Sequence, residues 1–309
     1  MTDLLITHAS KVSPTAWLRL RRGDGAALAH AAAVHGCRFP AADDVFEEDA
    51  RFLYLPVASL VRDGFEVRQQ TVIFALGDDV LITLEPADGF PAFDRAPAML
   101  ARRPDLGAGR AAVMYVLLLA LNANTDHVLG LASGALEGVN DRIRMIAEGV
   151  DETGQSIDSS DIHDAMADLN DKEELISRIQ ESQLLLERAA RYLRLEIGGE
   201  ARDLRQYVET LISDIASVKE HAGFEHDKVR YLQNSVMTSL SVKQNEIVKV
   251  FTIITAVFLP PTLVATFYGM NFAVMPELAW KHGFSFTIVL TLLAALLPLI
   301  YIKKKGWLR

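Results

Sequence analysis

Two features of this chain have the residue types and the spacing for chemistry on a cation. The first is Tyr268-Gly269-Met270-Asn271, where an uncharged run from Val250 to Phe267 gives way to a glycine and then a carboxamide. The second is a stripe: steps of alternately four and three residues from Asn234 reach Thr238, Ser241, Asn245, Val248, Thr252, Thr255, Leu259, Thr262 and Thr266. Neutral oxygens suit an ion such as Mg2+, which holds its water tightly in an octahedron, so that a fast path gains by gripping the hydrated ion through that water. The Asn271 carboxamide and the backbone carbonyls of Gly269 and Met270 supply such oxygens where the helix ends, and Gly269 lets the backbone leave helical geometry. Taken singly, Asn271 reads as a turn residue and each threonine as a hydroxyl bonded back to its own helix or to a neighbour. The unbroken register is what favours a pathway.

The elements that must position these residues are membrane helices. Val250 to Phe267 is long enough to cross a hydrocarbon core of about 30 Å, and the uncharged run Gly283 to Ile302 spans equally well. A link of about fifteen residues, Tyr268 to His282, joins them, so they are expected to be an antiparallel pair. Pro260 and Pro261 remove two backbone donors in mid-span, tolerable where neighbours or water satisfy the freed carbonyls. A strict 3.5-residue period keeps one face on the axis of a left-handed supercoil, and the apolar Val229, Leu232, Val236 and Leu240 lie on another face. Copies of this helix can therefore wind around a wet centre. One chain cannot enclose it, so oligomerisation is expected. Lys243 and Lys249 precede the first span and Lys303, Lys304, Lys305 and Arg309 follow the second, against Lys281 alone in the link, which places both termini in the cytoplasm.

Tyr268-Gly269-Met270-Asn271, followed by Met275-Pro276-Glu277-Leu278, resembles the signature of the CorA metal-ion transporters. Val257-Phe258-Leu259-Pro260-Pro261-Thr262-Leu263 and the ending Lys303-Lys304-Lys305-Gly306-Trp307-Leu308 resemble the same family. The resemblance is strongest from Asn245 to Arg309. It implies a funnel-shaped homopentamer: an α+β cytosolic domain (residues 1–108), a long-helix stalk (109–246) and a two-helix transmembrane hairpin (247–309). It implies that Gly269, Met270 and Asn271 form the entrance selectivity ring, holding the ion through water at Asn271 and Gly269. Asn245 would form a polar ring at the inner end, and Phe251 and Leu259 apolar constrictions that gate by dewetting, although relatives carry aliphatic residues where Phe251 stands. The implied function is influx of hydrated Mg2+, with Co2+ and Ni2+ as further cargo, shut off by cytosolic Mg2+. The rivals are a zinc transporter of the ZntB branch and a membrane-tethered helical scaffold without flux.

Composition agrees with a membrane hairpin on an acidic body. Half of the 309 residues are apolar, and the net charge of −9 divides unevenly: Ile247 onward carries +5, so Met1 to Glu246 carries −14. An acidic body argues against nucleic acid and for attraction of cations. The lone Cys37 excludes an internal disulfide and fits a reducing compartment. The start, MTDLLITHASKVSP, does not read as a signal peptide, and the expected location is the inner (plasma) membrane. No phosphate loop, nucleophile elbow or triad spacing is present, so no enzyme and no resident cofactor are expected, with Mg2+ as cargo and regulator.

In chain order, residues 16–105 read as a small α/β domain. Ala16 to Leu20 alternates like a strand, Gly25 to His35 reads as a helix, and Arg51 to Val61 as a strand interrupted by Pro56. Thr71 to Leu76 and Val80 to Leu84, joined through Gly77-Asp78-Asp79, read as a hairpin. Helical spacing then predicts Ala111 to Glu148, about Asp161 to Glu196 capped by Ser159 or Ser160, Glu200 to about His221, and a last helix from near Glu225 into the membrane, with a bend at Gly223. The acid-rich stretches Asp43 to Asp49 and Asp151 to Glu174 read as solvated faces. His221 and His226 diverge on a helix, so a metal site there is disfavoured. The regulatory ligands are left unassigned.

Overall fold

The computed structural model describes residues 17–40, 45–63, 66–106, 109–148, 159–198, 202–270, 275–276 and 280–306. The chain divides into two compact units, Met1–Asn234 and Ser235–Arg309.

In the first unit five strands, β1 (Trp17–Arg21), β2 (Glu47–Glu48), β3 (Phe52–Asp63), β4 (Glu66–Gly77) and β5 (Leu81–Glu85), form one sheet in the order β1-β5-β4-β3-β2. The pair β1–β5 is parallel and the others antiparallel. The expected hairpin is β4–β5, with Ile73 opposite Leu84 and Leu76 opposite Leu81. A second and longer one, β3–β4, pairs Phe52 with Gly77 through to Asp63 with Glu66. Pro56 does not interrupt β3. Beyond Tyr54 no strand among the described residues pairs with the outer edge of β3, and an edge is where a residue without an N–H is tolerated.

Side-chain alternation along the strands feeds two cores. Leu55, Val57, Val72, Phe74, Leu76 and Leu81 face a large cluster. Phe52, Tyr54, Ile73, Ala75, Ile82 and Leu84 face the other side. That second face is covered by α1 (Gly25–His35), capped by the Asp24 side chain on Ala27 N and ended by Gly36 at φ 77°, where a glycine meets no Cβ penalty.

The first face is covered by α3 (Arg110–Glu148), α4 (Ser159–Glu196) and the start of α5 (Arg202–Tyr268), with a short α2 (Ala96–Ala101) leading in. Arg110 pairs with Glu196 at 3.6 Å and Arg142 with Asp168, so α3 and α4 run antiparallel. Lys219 reaches Glu187 at 2.5 Å and Gln233 reaches Glu173 at 2.7 Å, so α4 and α5 do the same. The α/β segment and the long helices thus share one core. Asn124 of α3 donates its amide to the Leu60 carbonyl at 2.5 Å, satisfying part of an otherwise exposed strand edge.

α5 is one helix of 67 residues, not two joined by a bend. Its buried stripe, Val208, Leu211, Ile215, Val218, Ala222, Glu225, Val229, Leu232 and Val236, passes Gly223 without losing step. Neither crowding nor a left-handed backbone requires a glycine there: a Cβ at position 223 would meet Gln180 Nε2 at an ordinary contact distance of 3.7 Å.

Among the described residues three helices are long and apolar enough to cross a membrane, and burial separates them. The apolar stretch of α3 is 67% buried in the first unit, so its hydrophobicity serves a core. Those of α5 and α6 (Gly283–Lys304) are 0% and 6% buried, apolar surface that water does not tolerate over such an extent.

Candidate functional site

In the second unit, α5 keeps Ile253, Val257, Pro260, Pro261, Val264 and Tyr268 half-buried along one side, and α6 does so with Thr287, Leu290, Thr291, Ala294, Ala295 and Pro298. The expected pathway stripe is a different side of α5. Asn245, Val248, Thr252, Thr255, Leu259, Thr262 and Thr266 are all exposed, Val248 by 61% and Leu259 by 59%. Among the described residues nothing covers that face. Phe251, also exposed, sits one position beside the stripe. Two shallow open depressions follow it: Val248, Phe251, Thr252, Thr255 and Leu259 line the first, and Thr255, Phe258, Leu259, Thr262 and Thr266 the second.

The threonine hydroxyls have a fixed orientation. Thr252 donates to Val248 O at 2.7 Å, Thr255 to Phe251 O at 2.8 Å, Thr262 to Phe258 O at 2.7 Å and Thr266 to Thr262 O at 2.8 Å. A hydroxyl has one proton and two lone pairs. With the proton committed to the helix, each Oγ presents only acceptor capacity to the outside. These back-bonds satisfy the structural reading of the threonines and at the same time turn the face into a row of neutral acceptors. Pro260 and Pro261 leave the carbonyls of Ala256 and Val257 without their usual helical donors.

The helix stops at the predicted turn. Gly269 N bonds to Ala265 O at 3.0 Å and to Thr266 O at 3.2 Å, and Met270 N reaches Phe267 O at 3.4 Å. The reason for glycine there is proximity, not a left-handed φ: a Cβ at position 269 would stand 3.1 Å from Ala265 O. Asn271 lies outside the described residues. At the start of α6 the Trp280 ring is tilted against Phe286 with centroids 5.6 Å apart, and Gly283 N bonds to Trp280 O at 2.9 Å. An indole there suits a membrane–water boundary.

Among the described residues several acids of the two stretches, and His221, have structural partners; residues 151–158 lie outside the described residues. Asp43 and Asp44 lie outside the described residues, Glu47 and Glu48 are exposed on β2, and Asp49 accepts from Arg51 N and Phe52 N, each at 2.7 Å, and from Tyr54 OH at 3.0 Å. Desolvation would raise the Asp49 carboxyl, but these bonds outweigh it and hold it below the usual carboxylate range. In α4, Asp168, Glu173 and Glu174 bond to Arg142, Gln233 and Arg178. His221 Nε2 lies 3.6 Å from the buried Glu225, which takes a 2.7 Å hydrogen bond from Ser133. Among the described residues no three His, Cys, Asp or Glu side chains cluster as a metal site. The sequence carried no signal for Ser133–Glu225 or Glu187–Lys219, since both join helices far apart in the chain.

A family model described as CorA-like Mg2+ transporter protein matches residues 10–304. The chain belongs to this family. It is 32% identical over 238 residues to the magnesium transport protein CorA of Haemophilus ducreyi and 34% identical over 241 residues to that of Escherichia coli (strain K12), in each case over 77% of this chain and 72% of the relative. The complete structure of the CorA magnesium transporter from Methanocaldococcus jannaschii superimposes with a TM-score of 0.75 at 15% identity, covering 94% of this chain and 91% of that one, so the folds correspond. This CorA-family chain is a membrane transporter of Mg2+ and not an enzyme.

Proposed function

We propose that the chain is one subunit of a homo-oligomeric channel, a funnel-shaped pentamer, that lets hydrated Mg2+ into the cell across the inner membrane. The exposed seam of acceptor-only threonine oxygens carries this reading. The hydrogens of an ion's coordinated waters need acceptors, and the seam offers them with no charge to trap the ion. In this reading α5 and α6 form the two-helix hairpin, with both termini in the cytoplasm, the seam faces the common axis, and Gly269, Met270 and Asn271 ring the outer mouth. Phe251 and Leu259 are the apolar constrictions that can shut the path by dewetting, and Val248 lines it with the threonines. Lys243, Lys249, Lys303, Lys304 and Lys305 rest among lipid headgroups at the inner face, and Mg2+ bound by the acidic cytosolic part closes the pore.

The test is metal uptake by the purified protein in liposomes with Mg2+, Co2+, Ni2+ and Zn2+ compared. Mg2+ is expected to pass, and hexammine cobalt, an inert mimic of a hydrated ion, to block at the mouth. Mg2+ flux indifferent to the complex would sink hydrated-ion recognition, preference for Zn2+ would transfer the protein to zinc transport, and no flux of any metal would leave a scaffold.

A further inference from the structure

The buried stripe of α5 from Val208 to Val236 is apolar except at Glu225, which is 3% exposed between Ala222 and Val229. A carboxylate taken out of water is tolerated where hydrogen bonds and opposite charge replace the water it loses. Glu225 has little of either. Its Oε1 accepts from Ser133 Oγ of α3 at 2.7 Å, while its Oε2 is buried without a hydrogen-bond partner. The charged and titratable groups that reach it stand on its own helix: Lys228 Nζ lies 3.6 Å from Oε2 and His221 Nε2 3.6 Å from Oε1. From α3 it meets the uncharged Ser133. Among the described residues α4 supplies no charge to it: Arg178 is paired with Glu174, Glu187 with Lys219, and beside Gly223 α4 presents Gln180. His226, next in the chain, forms no ion pair with it, and the buried His226 Nδ1 has no hydrogen-bond partner. Lys228 is therefore the constant counter-charge of Glu225 and His221 the conditional one, because histidine changes its charge between pH 5 and 8.

We propose that His221, Glu225 and Ser133 form a proton-sensitive fastener between α5 and α3, tight when His221 is charged and weak when it is neutral, so that cytoplasmic pH acts on the helix that carries the seam. The fastener stands on the geometry of the first unit alone; its effect on flux rests on the pore reading. With both cations present the buried carboxylate keeps its charge, and the Ser133 hydroxyl donates to an ion, a stronger bond than one to a neutral acceptor. Once His221 loses its proton, one loose cation remains, and the carboxylate gains by turning toward water. That turn breaks its hydrogen bond to α3. The stabilisation is thus present in acid and lost as pH rises through the histidine range, well above the range near 4 where ordinary carboxyls titrate. α5 continues from Glu225 to Tyr268 as one helix, so loosening it here frees the element that lines the path.

Hydrogen exchange of the full-length protein in lipid vesicles tests the fastener, with Mg2+ uptake by the same vesicles measured beside it at one fixed Mg2+ concentration. Protection factors, which divide out the chemical effect of pH on exchange, are expected to fall several-fold around Ser133 and Glu225 as pH rises across the histidine range. His221→Gln removes the conditional charge, and Glu225→Gln keeps an acceptor for Ser133 without the charge; each is expected to abolish this dependence. His226→Gln is expected to retain it, and Ser133→Ala to lower protection at every pH. A dependence undiminished in His221→Gln, or none in the wild type, overturns the fastener. Mg2+ uptake is expected to rise several-fold over the same interval in the wild type and to stay level in His221→Gln. Uptake indifferent to pH while protection responds overturns the effect on flux. Absence of uptake at every pH sinks the pore reading, and the exchange result still decides the fastener.

Discussion

At the scale of single residues, Asn271 and Glu187 illustrate opposite kinds of importance. Asn271 follows the turn that ends α5 and takes part in no apolar core that the sequence suggests, so Asn271→Ala is expected to abolish Mg2+ uptake while the oligomer assembles as before. Uptake at the wild-type rate would return it to the role of a turn residue. Glu187 is the reverse case. Lys219 holds it across α4 and α5 at 2.5 Å with Arg191 beside it, and that hydrogen bond, acting against desolvation, keeps its carboxyl below the ordinary glutamate range. A carboxyl lowered on folding contributes stability that is complete above its unfolded value, about 4.3, and lost as pH falls through the lower folded one. Glu187→Gln should therefore cost about 1 kcal/mol at neutral pH, at the low end for a charged hydrogen bond because Lys219 is partly exposed, and the difference from wild type should vanish in acid. Thermal unfolding of the purified protein at several pH values measures this. An equal penalty at pH 3 and pH 7 would show that the charge is not the cause.

At the scale of elements, the threonine seam separates function from helix stability. Each hydroxyl is bonded to its own backbone, so Thr255→Val removes an acceptor from the outer face without opening a core, and valine occupies the same volume. Stability is expected to stay within about 0.5 kcal/mol, the range of surface substitutions, while Mg2+ uptake falls several-fold; Thr255→Ser, which keeps the oxygen, should restore most of it. Uptake insensitive to Thr255→Val would reduce these hydroxyls to helix-satisfying groups. The seam was legible in the sequence because its 3.5-residue period depends only on spacing along one helix. So were α3 and α4, where the expected limits Ala111 to Glu148 and Asp161 to Glu196 meet Arg110–Glu148 and Ser159–Glu196. The β3–β4 hairpin was not, because Pro56 reads as a break unless the strand is known to have an open edge. The continuity of α5 was hidden because Gly223 looks like a hinge, while what keeps the helix straight past it is the buried stripe from Val218 and Ala222 to Val229 and Leu232, a packing between helices that spacing alone does not reveal.

At the scale of the whole molecule, a passive Mg2+ pathway requires control. The membrane potential is worth about 2.3 kcal/mol per charge per 100 mV, and Mg2+ carries two charges, so an open pore would fill the cell far beyond need. The part of the chain before the spans carries a net charge of −14, and helix α5 runs from it into the span without a break. Mg2+ bound between acidic surfaces of neighbouring copies would favour one compact, closed arrangement. Its loss would leave those surfaces to repel and let the seam helices part, a population shift set by the difference in affinity between the two states. Glu47 and Glu48, exposed on β2 beside Asp43 and Asp44 in the sequence, are the first to neutralise. Protease cleavage of α3, α4 and α5 should therefore slow as Mg2+ on the cytoplasmic side rises through the millimolar range, and flux should fall over the same range. Exchanging the four acids for Asn and Gln should move both transitions together to higher Mg2+. If the two transitions part company, with flux closing where protection does not change, closure resides in the membrane helices alone; if neither responds, the acidic part plays no role in gating.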